Sequence, residues 1–481
     1  MPQEPFVIDG SRLRPIEDSV MLDRLKLFLN PFWDGRYEDM VPNPKAAVLR
    51  DFTAGLIVAM VAIPLAMGFA IASGLNPIHG IVGGAFAGLF GSLFGGSKYL
   101  VYGPCAAYIP IIFGIMVTYG GDGTQVLPEQ YHQGYLMLVF CSVCAGILLM
   151  ILGACKVGQI VTRVPHSIVV GFTIGISMTI ILTLVGDILG IKAKLPYGLL
   201  DKIPIIIKNI DQFSFWAVLM TVGTFLCTKY LLRISVYIPG PLIAIAIGYV
   251  LSQTFLSDAS LTVAEDKYGK IPTDDFFKFN VPTLPDFSQA KVLFDVVFYV
   301  VAIVFVAAIE SLLCSRMADR LANNEGTSYN ANKELFGQGI VNTIVPMLNG
   351  FPHTGALART ATNIKCGGMT PLAGILKCWL KLGMAFFLAA YLDLVPMACI
   401  AGILTYVALN MVKWDEIKAV HRMNRLHIFL MYQTAVVVLL KDFLSGVLLA
   451  VILYALLHRF FDNPESPSDA ETTQPEPAGT A

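Results

Sequence analysis

The sequence predicts an all-α polytopic membrane protein of fourteen transmembrane segments, arranged as a 7+7 inverted repeat, and three observations predict it. Of 481 residues, 56% are hydrophobic and 14% charged, with a mean hydropathy of +0.67, against roughly 25% charged residues in an ordinary soluble domain. Apolar stretches follow one another from residue 52 to residue 460. Two irregular stretches lie about 250 residues apart, as do Pro64 in the first stretch and Glu310 in the eighth. An odd number of spans per half turns the second half over relative to the first.

Residues 1–50 form a cytoplasmic N-terminal arm in which Val20, Met21, Leu25, Phe28 and Leu29 alternate with Asp23, Arg24 and Lys26. That pattern fits a helix on the membrane surface or one packed on the protein. The segments follow at 52–74, 77–95, 102–118, 134–153, 166–189, 214–232, 240–255, 291–315, 333–349, 353–365, 371–391, 395–412, 426–440 and 443–460. In the second, Gly84 and Gly88, then Gly91 and Gly95, recur at a four-residue spacing that lets neighbours approach closely. After Phe461 the chain reads DNPESPSDAETTQPEPAGTA, a tail without apolar residues to bury, expected to be disordered.

Lys156, Arg163, Lys229, Arg233, Arg316, Arg320, Lys413, Lys418, Arg422 and Arg425 fall in the even-to-odd connections, and the arm adds seven basic residues. Both termini are therefore expected on the cytoplasmic side of a cell inner membrane. The connection 187–212, with Lys192, Lys194, Lys202 and Lys208, runs against this rule. A net charge of −1 without a polybasic cluster points to no nucleic acid partner. The nine cysteines read as free thiols, Cys141 and Cys144 included, because an apolar helix with no second pair nearby is no metal or redox site.

The third segment opens with Val101-Tyr102-Gly103-Pro104, and the tenth lies within 350–371, GFPHTGALARTATNIKCGGMTP. Both read as extended chain to mid-membrane followed by a half-helix. Backbone of that kind is tolerated only inside protein or along a cavity, so the two mark a transport site. Inversion brings the half-helix N-termini together from opposite faces, where their N–H groups and dipoles favour an anion. Arg359 adds a full positive charge one turn into the tenth segment. Pairing with a structural carboxylate is the other reading of Arg359, and the residues leave both open. Glu310 is the carboxylate of the eighth segment, at a depth where an ionisable group costs roughly 2.5 to 3.5 kcal/mol. By depth its partner is Arg359, since Lys377 and Lys381 lie where they can snorkel to the cytoplasmic face. Glu310 is then either a proton carrier beside an anion or half of a static ion pair.

Several of these motifs together resemble the sulfate permease family, relatives of solute carrier family 26. They are IPLAMGFAIASGLNPIHGIVGG (63–84), the Gly-Pro of YGPCAAYIP (102–110), Glu310-Ser311-Leu312, NKELFGQGIVN (332–342) and GFPHTGALARTATNIKCGGMTPLAG (350–374). The resemblance covers residues 50–460 and implies a homodimer in the bilayer. Each protomer would move a core domain (51–153 and 291–391) against a gate domain (166–255 and 395–460). It implies a substrate site formed by Phe69, Cys105, Ala106, Glu310, Gly355, Ala358 and Arg359. Relatives usually carry a STAS domain after the last helix, and residues 461–481 are too few to hold one. Ala356 and Ala358 stand where many relatives have serine, so backbone N–H groups must do more of the binding. Leu65 replaces a frequent glutamine, and Cys314 puts sulfur where a sodium site needs oxygen.

The expected function is a secondary active transporter of a small inorganic or carboxylate anion (sulfate, bicarbonate or dicarboxylate), working by elevator-type alternating access with proton symport or anion exchange. No metal or other cofactor is implied. No enzyme is expected, since no Ser/His/Asp, metal or nucleotide-binding arrangement stands in a polar segment. The rivals are a nucleobase-type proton symporter of the same fold, which would need an acid where Arg359 stands, and an anion channel or sodium-coupled bicarbonate transporter. Truncation after Asp462 is expected to leave transport and dimerisation intact; a truncated protein that runs as a monomer in native mass spectrometry would give the tail a role in assembly.

Overall fold

The computed structural model describes residues 35–120, 128–158, 165–193, 199–441 and 443–461. Helices fall in all fourteen stretches: α1 Pro44–Ala72, α2 Pro77–Phe94, α3 Ile109–Tyr119, α4 Pro128–Ala154, α5 His166–Leu189, α6 Phe215–Ile234, α7 Gly240–Thr254, α8 Ala290–Leu321, α9 Ala331–Met347, α10 Leu357–Lys365, α11 Leu372–Asp393, α12 Met397–Met411, α13 Arg425–Leu440 and α14 Phe443–Phe461. Eight helical stretches are long and apolar enough to cross a bilayer on length and composition alone. The predicted helix at 20–29, the tail beyond Phe461, Arg163 and Lys194 lie outside the described residues. The first helix starts earlier than the arm's predicted end at residue 50. Asn43 caps it by accepting from the Ala46 N–H at 3.2 Å, and Pro44 occupies the first turn, a start signal that charge in PKAAVLR obscures.

The chain leading into α3 and α10 is extended. Tyr102–Gly103 (β1) and Thr354–Gly355 (β2) pair antiparallel, with Tyr102 opposite Gly355 and Gly103 opposite Thr354. The Ala356 N–H adds a bond of 3.1 Å to the Val101 carbonyl. Each strand thus meets the other's backbone polar groups, where lipid offers no partner. After β1 a 3-10 turn, Ala106–Tyr108, leads into α3; β2 leads into α10 through extended Ala356. Gly367, at φ +90°, ends the tenth segment after Cys366, a conformation that favours glycine.

The helices form two packing groups. In one, α9 lies along α4 and α2, α11 along α1 and α2, and α8 touches α4, α9 and α10; in the other, α13 packs on α5 and α14, and α12 on α5 and α6. Contacts between the groups run mainly from α1 to α7 and α12. α9 is the least apolar of the long segments because protein surrounds its polar face: Lys333, Glu334, Gln338 and Asn342 are all buried. Glu334 accepts from Tyr102 Oη at 2.5 Å, from the Gly96 N–H at 2.8 Å and from Ser311 Oγ, joining α9 to β1 and α8. Asp51 of α1 holds the turn before α11, accepting from the Met369 N–H at 2.7 Å and Thr370 Oγ1 at 2.5 Å. Arg36 donates to the Ser92 and Leu93 carbonyls, both at 2.9 Å, and closes the C-terminal end of α2.

The glycine face of α2 does what its spacing predicts, against unexpected neighbours. A β-carbon on Gly80 would run into the Ala66 carbonyl of α1, one on Gly84 would lie 2.5 Å from Lys381 Nζ, and one on Gly88 would lie 2.7 Å from Lys377 Nζ. Gly91 and Gly95 leave room for the Tyr102 ring. Gly80→Ala is therefore expected to destabilise the protein by about 1 to 3 kcal/mol, because backbone rather than a movable side chain stands in the way. Gly383→Ala on α11, with nothing within 4 Å of its β-carbon, is expected to be neutral or to stabilise by up to about 1 kcal/mol. Thermal unfolding of both variants in detergent checks this, and a Gly80→Ala protein as stable as wild type would contradict the close α1–α2 approach.

Candidate functional site

Arg359 stands one turn into α10 and is 3% exposed. Its Nη2 donates to the Pro104 carbonyl, whereas among the described residues Nε and Nη1 meet no acceptor. Gly103 makes the space, since a β-carbon there would lie 2.9 Å from the guanidinium carbon. A guanidinium has five N–H donors, and leaving them unmet in a buried place costs free energy that an anionic acceptor would recover. This arrangement can bind an anion, and it holds its cation ready by a single backbone bond.

The two half-helices start beside it without side-chain caps. Cys105 precedes the 3-10 turn with extended geometry (φ −119°, ψ 141°), and Ala356 precedes α10 likewise (φ −127°, ψ 119°). Cysteine sulfurs face these starts: Cys105 lies against the N–H groups of Ala106 and Ala107, and Cys314 of α8 against that of Leu357. Thiol sulfur is a weak acceptor, so the N–H groups keep most of their capacity for a better one. Ala358 is exposed and Ala356 and Leu357 half-buried, so the N-terminal end of α10 borders open space.

Glu310 is half-buried on α8, with Cys314 Sγ 4.0 Å from its Oε2. The expected pairing of Glu310 with Arg359 is not made; among the described residues no ion pair joins them. Arg359 is turned to the Pro104 carbonyl, and Glu310 lies in the field of Lys413, beyond the end of α12. The thiols of Cys105 and Cys314 lie in the fields of both. Gly355 sits in β2, and Phe69 is buried in α1 within the apolar cluster that also holds Cys105, Ala106 and Cys314. The structure thus gathers Cys105, Ala106, Glu310, Gly355, Ala358 and Arg359 around the strand pair, while Phe69 is buried in the large apolar core to which Cys105 and Ala106 also belong.

Lys377 and Lys381 do not snorkel. They are 1% and 0% exposed, and Nζ of Lys377 donates to the Tyr102 carbonyl at 2.6 Å while Nζ of Lys381 donates to the Gly80 carbonyl at 3.3 Å. The physical reason is the glycine face of α2, which opens a slot for each ammonium. Sequence reasoning missed these lysines, the Pro104 carbonyl and the position of Cys314. One signal for the lysines was available: two lysines four apart in an apolar stretch match the spacing of Gly84 and Gly88.

A cavity of about 880 Å³ lies elsewhere, where the ends of α1, α3 and α5 meet the chain before α8, and neither Arg359 nor Glu310 lines it. Its wall includes Lys192, Lys202 and Lys267 with Asp187 and Asp266. Lys267 bridges to Asp187 at 2.9 Å; burial opposes its charge, but Tyr268 and Asp187 together raise its pKa. Lys202 is 5% exposed, donates to the Leu182 carbonyl at 3.1 Å, and is pushed down to about 8 by burial. Two of the lysines that break the charge rule for connection 187–212 therefore line this mouth.

A profile of the sulfate permease family matches residues 48–434. YvdB of Bacillus subtilis, provisionally named a sulfate transporter, is 34% identical over 84% of this chain and 72% of its own length. The bicarbonate transporter BicA of Picosynechococcus sp. is 27% identical over 85% and 69%. The transmembrane domain of a cyanobacterial BicA superposes with a TM-score of 0.71 at 25% identity, covering 83% of this chain and 97% of that one. SLC26A9 shares the fold, with a TM-score of 0.77 at 18% identity over 95% and 72%. The chain belongs to the sulfate permease family, and it is a multi-pass anion transporter rather than an enzyme.

Proposed function

We propose that this chain is a secondary active transporter that carries a small anion of the sulfate, bicarbonate or dicarboxylate class across the cytoplasmic membrane, with both termini inside. The observation that carries the reading is Arg359, buried with Nε and Nη1 unmet beside two uncapped half-helix starts. The anion accepts from Arg359 and from N–H groups at the starts of α3 and α10, near Cys105, Ala106, Gly355 and Ala358, with Phe69 as an apolar wall. The group of α1–α4 and α8–α11 acts as the moving core and the group of α5–α7 and α12–α14 as the gate, in a homodimer. Thin contact between the groups supports that division. A nucleobase symporter of this fold would need an acid where Arg359 stands, and Cys314 offers sulfur where sodium needs oxygen.

Arg359→Ala is expected to weaken anion binding by about a hundredfold or more, since a lost charge-assisted bond costs about 3 kcal/mol and 1.4 kcal/mol is a factor of ten. Arg359→Lys retains part of it, because charge at a desolvated site is the larger contribution and fork geometry the smaller. Calorimetric titration of purified protein with sulfate, bicarbonate and succinate measures both, and wild-type affinity in Arg359→Ala would remove the site from this place.

Glu310 is the proton carrier in this reading. An anion arriving in the crevice repels the ionised carboxylate, so a proton enters with the anion, and each makes the other's binding more favourable. Glu310→Gln fixes the neutral form. Anion-for-anion counterflow in proteoliposomes is expected to persist in that variant, while uptake loses its dependence on an inward proton gradient. Full gradient dependence in Glu310→Gln, or none in wild type, would overturn the coupling role.

A further inference from the structure

We propose that Lys377 and Lys381 are specificity-determining residues that favour a doubly charged oxyanion over a singly charged one at Arg359. The inference rests on the reading that the transported anion binds there. Both ammonium groups are buried, each donates to one backbone carbonyl, and among the described residues neither reaches a carboxylate within ion-pair distance. An ammonium has three donors, so each lysine is left with a charge and two N–H bonds that no acidic partner answers.

Their position relates them to the crevice. Lys377 holds the Tyr102 carbonyl of β1, two residues before Pro104, whose own carbonyl holds Arg359. Lys381 Nζ and Pro104 Cδ crowd the same space over Gly84, 2.5 and 2.9 Å from where its β-carbon would be. The two lysines and Arg359 therefore surround β1 and the start of the α3 half-helix. The other polar groups around them are His353, whose Nδ1 bonds the Phe351 carbonyl, the Tyr102 hydroxyl and the Cys378 thiol. Glu334 is behind Tyr102, its oxygens engaged by Tyr102, Ser311 and Gly96.

Charge then decides the preference. Arg359, Lys377 and Lys381, when protonated, bring three positive charges to this region and Arg36, in whose field Glu334 lies, adds a fourth, against the two carboxyl groups of Glu310 and Glu334. When Glu310 carries a proton the positive excess grows, and a dianion neutralises more of it than a monoanion does. In a medium of low dielectric constant, interaction with these cations grows with the charge on the anion, so a second negative charge gains from each of them.

A purely structural role predicts something different. If the ammonium groups only tied α11 to β1 and α2, replacing them would lower stability and weaken every anion alike. Removing a buried charge without an acidic partner is instead expected to leave stability unchanged or raise it, as replacement of buried ions by apolar side chains of similar volume does. The test uses the full-length chain as wild type, Lys377→Met, Lys381→Met, the double variant and Arg359→Ala. Each is titrated calorimetrically with sulfate and with bicarbonate at one ionic strength, and melted. The expected result is a sulfate-to-bicarbonate affinity ratio at least tenfold lower in the double variant, with each single variant between it and wild type and no drop in melting temperature. An unchanged ratio, equal losses for both anions with lower melting temperature, or a wild type that prefers bicarbonate overturns the inference. Arg359→Ala separates the two failures. Binding that survives there sinks the site itself, whereas binding lost there alongside an unchanged ratio in the lysine variants sinks only this assignment.

Discussion

The structure depends on holding a guanidinium that is buried and, among the described residues, paired with no carboxylate. A charge in that situation is expensive in a bilayer, so several features of the chain exist to make the place possible. Gly103 has no side chain because the guanidinium fills the space. Pro104 contributes a carbonyl that holds one nitrogen. The starts of α3 and α10 carry no side-chain cap, so their N–H groups stay directed at the same region. Under the proposed reading, each feature favours the site with an anion in it over the empty site, which is what a binding site requires.

The second constraint is backbone hydrogen bonding. Breaking two helices at mid-membrane exposes amide groups that lipid cannot serve, and the β1–β2 pair answers this by making each broken segment the partner of the other. The pairing is antiparallel because the repeat is inverted. It also needs cover on the side away from the crevice, and α2 supplies it with Gly91 and Gly95 under the Tyr102 ring. Glu334 then fixes the Tyr102 hydroxyl. The strand pair is thus held from behind by close packing on α2 and by the hydrogen bond to Glu334.

Much of this was legible in the sequence because it concerns depth. Lipid demands apolar runs, so the segments could be read nearly to their ends, and Gly-Pro in the third and Gly367-Gly368 after the tenth gave away the broken helices. The start of α1 was misread, since Lys45 and Arg50 look like an arm while Asn43 and Pro44 already cap a helix. The larger misreadings concern direction around the helix axis. Glu310 and Arg359 are close in depth, yet Arg359 turns to Pro104. Lys377 and Lys381 are within reach of the surface by depth, yet they face α2. A sequence fixes height along the membrane normal through hydropathy, whereas the facing of a side chain is settled by what packs beside it.

Glu334 and Glu310 show how that facing separates two identical chemical groups. Glu334 is fully buried and accepts three hydrogen bonds, from a phenol, a hydroxyl and a backbone amide, so its position and charge are tied to the packing of α9, β1 and α8. Glu310 is half-buried, among the described residues meets a thiol at 4.0 Å, and lies in the field of Lys413, which itself pairs with Glu416 at 2.9 Å. A carboxylate so lightly held can change its charge with little disturbance of its neighbours, whereas one held by three donors is part of the packing. If the half of the molecule carrying Glu310 slides past α12, its distance from Lys413 changes as well, so the field on the one adjustable carboxylate differs between the two ends of the stroke. Under the proposed mechanism, that difference gives a proton bound at Glu310 a reason to leave on the far side.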